Sequence, residues 1–189
     1  STLPVTIAAA EDEWKYYAAY TQSGTFKPPY TGRYKIYCVG KSGDGYINTT
    51  SQSNGGGGGG SGGIAVSILE LSASETYSFT ITDTKTSWNG DEFYATAGQD
   101  GALSWQTGGG AGGQAFGGNV GNTSGFKGGK GGIDGGEDNE QAPGEAGENS
   151  GARGGNAATN GAGDWARGGG GGGGARLPDT LCKYVVSGT

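Results

Sequence analysis

Carboxylates are the side chains of this sequence that are best suited to acid–base chemistry. A glycoside hydrolase needs two carboxyl groups at a set separation, and Asp91 could form such a pair with Glu92 or Asp100. The chain contains no histidine, which excludes zinc sites built on imidazole, histidine-based triads and histidine general bases. Because no spacing in the sequence indicates that two carboxylates converge, we predict that the protein is not an enzyme.

Two further patterns suggest ligand binding. The run Gly40-Lys41-Ser42 ends like a phosphate-binding loop, but that motif requires a glycine five positions before Gly40, where the chain has Lys35. Oxygen ligands for calcium could come from four acidic residues, Asp134, Glu137, Asp138 and Glu140. A solvated acidic loop is the favoured interpretation of that segment. We therefore expect no cofactor and no bound metal.

The composition is acidic and rich in glycine. The 189 residues include 46 glycines and only 5 prolines, which disfavours a collagen repeat. The net charge of −6 argues against a nucleic-acid partner, since phosphate binding requires a clustered basic face. No apolar run is long enough for a membrane span. Because the chain begins at Ser1 rather than Met, we expect a processed mature protein or an excerpt from a longer one.

Short β-strands are the elements that must position any functional residue. Alternating apolar residues predict strands at residues 3–7, 33–40, 64–71, 77–82 and 92–96, with residues 181–186 closing the module. Residues 72–76 have the length of a hairpin or a corner, and Asn89-Gly90-Asp91 is a turn signal. Residues 41–63 are predicted to form a glycine-rich loop. The fold class is therefore all-β, with a small antiparallel β-sandwich module.

The glycine tract at residues 108–175 has too few large apolar residues to bury a conventional core. Several of its glycines keep a three-residue register, for example Gly109, Gly112, Gly118 and Gly121. This spacing matches a left-handed extended helix with three residues per turn. Such helices can approach closely and hydrogen-bond through their backbones. We predict an appended bundle of polyglycine II helices with irregular loops, in preference to a flexible linker.

Three tryptophans, Trp88, Trp105 and Trp165, lie in segments that look like loops and have polar neighbours. Aromatic rings beside amide and carboxylate groups suit the recognition of sugars or proteins, because they supply a large contact area at low entropic cost. The alternative is that each ring staples a loop to the glycine bundle. The residues alone favour the two interpretations equally.

The run GTFKPPYTGRYKIYCVG from Gly24 to Gly40, the glycine loop after it and the strands at 64–71 and 77–82 resemble a known domain. It is the glycine-rich domain of bacteriophage tail-fibre and receptor-binding proteins and of some bacterial surface proteins. The likeness continues through residues 95–98 and 109–132. It covers about residues 24–174, whereas the N-terminal segment and residues 176–189 depart from the pattern.

This resemblance implies a β-module carrying polyglycine II helices, with the loops between helices touching a receptor on a host surface. It assigns receptor binding to loops that contain Trp88, Asn89, Asp91, Trp105, Phe126, Trp165 and Arg167. We therefore predict an adhesin of the tail-fibre type at an extracellular or virion surface. Its partner would be a cell-surface glycan or protein, bound multivalently by a homo-oligomeric or fibre-attached protein.

A structural subunit of an extracellular filament is the main alternative. Strand addition between copies would then use apolar residues near both ends, namely Leu3, Val5, Ile7, Val185 and Val186. A further alternative is an ice-binding protein, although the charged loops argue against a flat ice-binding face. The two cysteines, Cys38 and Cys182, could form one disulfide if the first and last strands are neighbours.

These elements predict four regions along the chain. Residues 1–23 form an N-terminal segment that could contact a neighbouring copy, and residues 24–107 form the β-module. Residues 108–175 form the glycine bundle with its loops, and residues 176–189 return to close the β-module.

Overall fold

The computed structural model describes residues 14–15, 18–46, 56–102, 109–129, 158–160 and 164–167, the last two ranges by their backbone. The chain divides into two compact units, Ser1–Ala19 with Leu177–Thr189, and Tyr20–Arg176. Every strand described below belongs to the second unit. The predicted strands at residues 3–7 and 181–186 lie outside the described residues. Of the residues described, none belongs to a helix that could span a membrane.

All regular structure in the described residues is β-strand, and every strand pairing is antiparallel. The strands are β1 (Gly24–Phe26), β2 (Gly32–Val39), β3 (Ile64–Leu71), β4 (Tyr77–Ile81), β5 (Lys85–Trp88), β6 (Phe93–Thr96), β7 (Ala115–Phe116), β8 (Gly121–Thr123), β9 (Ala158–Asn160) and β10 (Asp164–Arg167). This confirms the all-β class predicted from the alternating residues.

The strands form three sheets. Sheet I has five strands in the order β1-β4-β5-β6-β7, sheet II has three in the order β2-β3-β8, and sheet III pairs β9 with β10. Residues 72–76 connect β3 of sheet II to β4 of sheet I, so this linker is a corner rather than a hairpin. Two short strands absent from the prediction, β1 and β5, flank β4 in sheet I. Four more, β7 to β10, lie in the tract that was predicted to form polyglycine helices and loops.

The hydrophobic core takes side chains from sheets I and II. In one cluster, Cys38 and Ala65 of sheet II pack with Phe93 and Ala95 of sheet I. In a second cluster, Leu71 of sheet II packs with Phe26 and Phe79 of sheet I. Alternation along each strand explains the assignment, because successive side chains point to opposite faces of a sheet. Along β6, Phe93 and Ala95 therefore face the core, while the half-buried Tyr94 between them lies on the other face.

Five glycine-rich segments extend strands beyond the sheets. Residues 40–46 follow β2, residues 56–63 precede β3, residues 96–102 leave β6, residues 109–114 precede β7, and residues 125–129 follow β8 at a short distance. Residues 56–63, here called the central glycine segment, are all buried. Glycine segments therefore alternate with strands along the chain, and the segment predicted as a loop at residues 41–63 contains two of them.

Backbone hydrogen bonds between these segments recur at every third residue. The amides of Gly40, Gly43 and Tyr46 donate to the carbonyl oxygens of Gly63, Gly60 and Gly57 over 2.8–2.9 Å. The amides of Gly57, Gly60 and Gly63 in turn donate to the carbonyl oxygens of Ala102, Gln99 and Thr96 over 2.8–3.1 Å. A β-ladder repeats every two residues, so this pairing has a different period from that of the sheets.

The remaining two segments contact the same central glycine segment. Its Gly58 and Ser61 amides donate to the carbonyl oxygens of Gly129 and Phe126, both over 2.9 Å. The carbonyl oxygens of Gly58 and Ser61 accept from the amides of Gly110 and Gly113, over 2.9 and 2.8 Å. The central glycine segment therefore bonds to all four neighbours. Gly57, Gly60 and Gly63 bond to residues 40–46 and 96–102, whereas Gly58 and Ser61 bond to residues 109–114 and 125–129.

Close approach explains why these positions are glycine. A β-carbon on Gly56, Gly59 or Gly62 would overlap a backbone carbonyl oxygen of residues 40–46. A β-carbon on Gly60 or Gly63 would overlap a carbonyl oxygen of residues 109–114. Backbone atoms cannot swing away as side chains do, so any larger residue would push neighbouring segments apart.

Candidate functional site

The turn between β5 and β6 holds two of the residues predicted to bind a receptor. Asn89 and Gly90 have positive φ values of 46° and 120°, a conformation that asparagine and glycine tolerate best. Asn89 and Asp91 are both exposed. The Lys85 Nζ donates to Asp91 Oδ1 over 2.6 Å. The turn signal in the sequence is confirmed, and its polar side chains face solvent.

Trp88 was predicted to lie in a loop, but it is the last residue of β5. Its ring stacks against Tyr77 and Phe79, with centroids 5.9 and 6.3 Å away and interplanar angles of 18° and 5°. The Phe26 ring lies 6.1 Å from it at a tilt of 54°. Trp88 also contacts both core clusters. Its surroundings are those of a core residue, because three aromatic neighbours occupy the space around the indole.

Phe126 occupies one of the glycine segments. Its amide donates to Ser61 Oγ over 2.6 Å, and its carbonyl oxygen accepts from the Ser61 amide over 2.9 Å. Ser61 is fully buried in the central glycine segment. The side chain of Phe126 is half-buried, so the backbone of this residue is structural while part of its ring faces solvent.

Trp165 and Arg167 lie in β10, although their segment had the composition of a loop. Several predicted residues lie outside the described residues: Trp105 of the receptor-binding set, Cys182 of the disulfide, and the subunit-contact residues Leu3, Val5, Ile7, Val185 and Val186. The acidic residues considered for calcium also lie outside them. Among the described residues of the predicted receptor-binding set, Asn89 and Asp91 share one turn, and Trp88 ends the strand that precedes it.

Cys38 is a free thiol in the core. The residue is 2% exposed, and its Sγ lies 3.9 Å from the carbonyl oxygen of Phe93. Burial raises the pKa of the Cys38 thiol to about 12. A thiol so strongly held in its protonated form is a poor nucleophile, because the thiolate is the reactive species. Its role in the fold is packing between sheets I and II.

A polar groove of about 470 Å³ lies between two glycine segments and the turn that joins β4 to β5. Residues 40–46 supply Lys41, Ser42 and Asp44, the turn supplies Asp83 and Thr84, and the segment after β6 supplies Ala97, Gly98, Gln99 and Asp100. Backbone bonds close the walls, with the Gly98 amide donating to Lys41 and the Ala97 amide to Thr84.

The groove is lined by one lysine and three aspartates, so its charge is net negative. Lys41 Nζ lies 3.2 Å from Asp83 Oδ1, and this hydrogen bond, with the charges of Asp83, Asp44 and Asp100, raises the pKa of Lys41. Asp100 Oδ1 accepts from the Asp44 amide over 2.8 Å. Within the described residues, no group of three or more histidine, cysteine or acidic residues is arranged to hold a metal. Asp91 does not line the groove that contains Asp100.

Two contacts near the turn between β5 and β6 could not be predicted from the sequence: Lys85 with Asp91, and Tyr94 with Phe116. Lys85 is six residues from Asp91 but reaches it only because β5 and β6 form a hairpin. Phe116 is separated by 22 positions from Tyr94, which lies directly opposite it in sheet I. The register between strands sets both contacts, and no local pattern in the sequence reveals that register.

A comparison with family models, curated proteins and solved structures finds no match to this chain.

Proposed function

We propose that the protein is a surface-binding module of the adhesin type, acting at a virion or cell surface. In this proposal, sheets I and II form a β-sandwich, and the five glycine segments form a bundle of polyglycine II helices built onto it. Recognition belongs to the residues that connect the helices at the end away from the sheets. The bundle is the scaffold, and the connections are the binding surface.

One observation carries this proposal: the backbone hydrogen bonds between residues 56–63 and the neighbouring segments recur at every third residue. Polyproline II geometry has three residues per turn and no internal hydrogen bonds, so its amides and carbonyls are available to neighbouring segments. Gly57, Gly60 and Gly63 point their amides at one neighbour, while Gly58 and Ser61 point theirs at another. This division of donors by position is what a packed polyglycine II bundle requires.

The direction of the segments supports the location of the binding surface. Near the sheets, Gly40 pairs with Gly63; at the other end, Tyr46 pairs with Gly57. Residues 47–55 connect those two segments, and residues 103–108, which include Trp105, connect two others. Connections of this kind tolerate variation in sequence, whereas the glycine segments do not. Tyr46, which is 38% exposed, marks the end of the bundle where we expect a receptor to bind.

Weak contacts suffice for such a protein. A fibre that presents several copies raises the overall affinity without any new contact, provided that the copies can engage together. The net charge of −6 favours receptors that do not carry dense negative charge. A surface glycan or a neutral to basic surface protein fits this requirement.

Cell binding by fluorescently labelled protein, measured by flow cytometry on a panel of bacteria, tests the proposal. We expect binding to at least one strain, weakened about tenfold by Tyr46→Ala or Trp105→Ala. Val120→Ala is the matched control, because it truncates an apolar side chain that is 52% exposed beside the sheets. Equal losses in all three variants, or binding to no strain in the panel, would contradict the proposal.

A further inference from the structure

Sheet I carries a row of side chains on the face opposite to the core. Tyr94 lies between Phe93 and Ala95, which are 7% and 0% exposed in the core, so its ring points to the other face. Phe116 is its direct partner across β6 and β7. Lys85 follows on β5, and Asp91 in the turn after it. We call these four residues the aromatic platform.

The members of the aromatic platform are in contact from one end to the other. The rings of Tyr94 and Phe116 stack with centroids 4.9 Å apart at 28°. Lys85 Nζ lies 5.3 Å from the centroid of Tyr94, within the range of a cation–π interaction. The same ammonium lies 2.6 Å from Asp91 Oδ1. Phe116 is 44% exposed, and the side chain of Asp91 is 83% exposed.

Backbone geometry fixes the aromatic platform in place. Gly117 follows Phe116 with a φ of 72°, and a β-carbon there would overlap the carbonyl oxygen of Glu92. The end of β7 therefore lies directly against the turn that carries Asp91. A site built on strands and a tight turn needs little ordering when a ligand binds, which lowers the entropic cost of binding.

We propose that the aromatic platform binds a pyranose ring of a neutral glycan. A pyranose has an apolar face of C–H groups, which suits the exposed Phe116 ring, and hydroxyl groups around its edge. Asp91 accepts hydrogen bonds from hydroxyls, and Lys85 donates to them. Charge selects the class of sugar, because exposed Asp91 and Glu92 outnumber Lys85 and repel carboxylated sugars.

This inference rests on the proposed function in that a surface glycan supplies the ligand. It concerns a different surface, since the platform lies on sheet I and Tyr46 pairs with Gly57 at the end of the glycine segments away from the sheets. Two sites of modest affinity on one rigid module would engage the same cell surface together. The apparent affinity for cells would then exceed that of either site.

Saturation-transfer NMR on the full chain tests the inference, with methyl α-D-mannopyranoside, methyl α-D-glucopyranoside and methyl β-D-galactopyranoside as probes. We expect at least one to bind with a dissociation constant on the order of 1 mM. Phe116→Ala should weaken binding about tenfold, since it removes the exposed ring. Asp91→Asn, which keeps the shape of the turn, should weaken it by a smaller factor. N-acetylneuraminic acid should not bind.

Tyr30→Ala is the matched control, because Tyr30 is also exposed, at 63%, and stacks on Tyr34 on the approach to β2. Circular dichroism of each variant verifies the fold. The inference is overturned if no neutral glycoside binds, if Tyr30→Ala weakens binding as much as Phe116→Ala, or if N-acetylneuraminic acid binds as well as the neutral probes. Sugar binding lost in Phe116→Ala supports it even if no cells bind. If Tyr46→Ala weakens cell binding but no sugar binds at the aromatic platform, the proposed function is supported and the sugar site at the platform is overturned.

Discussion

The amide of Gly60 donates to the carbonyl oxygen of Gln99 over 2.9 Å, although the two residues lie 39 positions apart in the chain. The carbonyl oxygen of Gly60 accepts at the same time from the amide of Gly43 over 2.8 Å. One glycine thus joins three segments, each of which adjoins a different strand. The glycine segments are therefore continuous with the sheets in structure and in hydrogen bonding.

Gly60→Ala should destabilise the protein strongly. The added methyl group would lie closer than 3.0 Å to backbone atoms of Ala111, which have no room to move within the packed segments. We expect the free energy of unfolding to fall by about 1–3 kcal/mol or more, measured by urea denaturation followed through tryptophan fluorescence. Gly121→Ala is the control, since nothing lies within 4 Å of a β-carbon there. Similar losses for both variants would argue against close packing.

The turn after β5 depends on backbone conformation. Gly90 has a φ of 120°, which residues other than glycine rarely adopt, and no atom lies within 4 Å of the position that a β-carbon would take. Gly90→Ala should therefore cost about 1–2 kcal/mol through strain alone. Asn89→Gly, at a φ of 46°, should change the free energy of unfolding by only about a few tenths of a kcal/mol. Thermal denaturation of the two variants measures the contrast, and equal transition temperatures would rule out strain at Gly90.

Trp88 should contribute to stability rather than to receptor binding. Trp88→Ala removes the ring that stacks on Tyr77 and Phe79 and should cost about 3 kcal/mol. Trp88→Phe keeps an aromatic ring and should cost about 1 kcal/mol. Cell binding per folded molecule should be unchanged by Trp88→Phe. A stable Trp88→Ala variant that fails to bind cells would instead restore the receptor role predicted from the sequence.

The buried Cys38 predicts a dependence of stability on alkaline pH. Its pKa is raised from 9.0 to about 12, so between these values the unfolded chain loses the proton that the folded protein keeps. The folded state then binds more protons, and its stability falls as pH rises above 9, by up to about 1.4 kcal/mol per pH unit. Stability is unaffected by this group below pH 9.

Denaturant unfolding at several pH values measures this effect. Both proteins should carry Cys182→Ser, so that Cys38 is the one thiol present. The variant Cys38→Ala should show a shallower decline above pH 9 than its parent, since other groups titrate equally in both. Parallel curves would mean that the thiol is solvated in the folded protein.

The sequence predicted those elements whose pattern is local. The strands around Tyr34 and Phe79 alternate apolar and polar residues, and Ile64–Leu71 is a nearly continuous apolar run of strand length. The strand β5 was missed, since Lys85-Thr86-Ser87-Trp88 has a single large apolar residue and contributes mainly through pairing with its neighbours. Trp88 was assigned to a loop because the strand that it ends was missed and the turn signal Asn89-Gly90-Asp91 follows it directly.

The glycine segments show the limit of local patterns in another way. A run such as residues 56–60 has no side chains and so no hydrophobic period that could indicate its structure. Its conformation follows from hydrogen bonds to segments far away in the chain. Glycine spacing after residue 108 indicated a three-residue repeat, but the bonds at residues 40–46 and 56–63 could not be inferred from composition. The contact between Tyr94 and Phe116 likewise needs the register of sheet I.

Amide hydrogen exchange of the central glycine segment, followed by NMR, measures whether the glycine segments are packed together. Gly57, Gly58, Gly60, Ser61 and Gly63 donate their amides within the packed segments. We expect these amides to be protected to the same degree as those of β3, because both would exchange only on global unfolding. Exchange at the rate of an unstructured glycine chain, with β3 still protected, would show a flexible linker between two strands and would contradict the bundle.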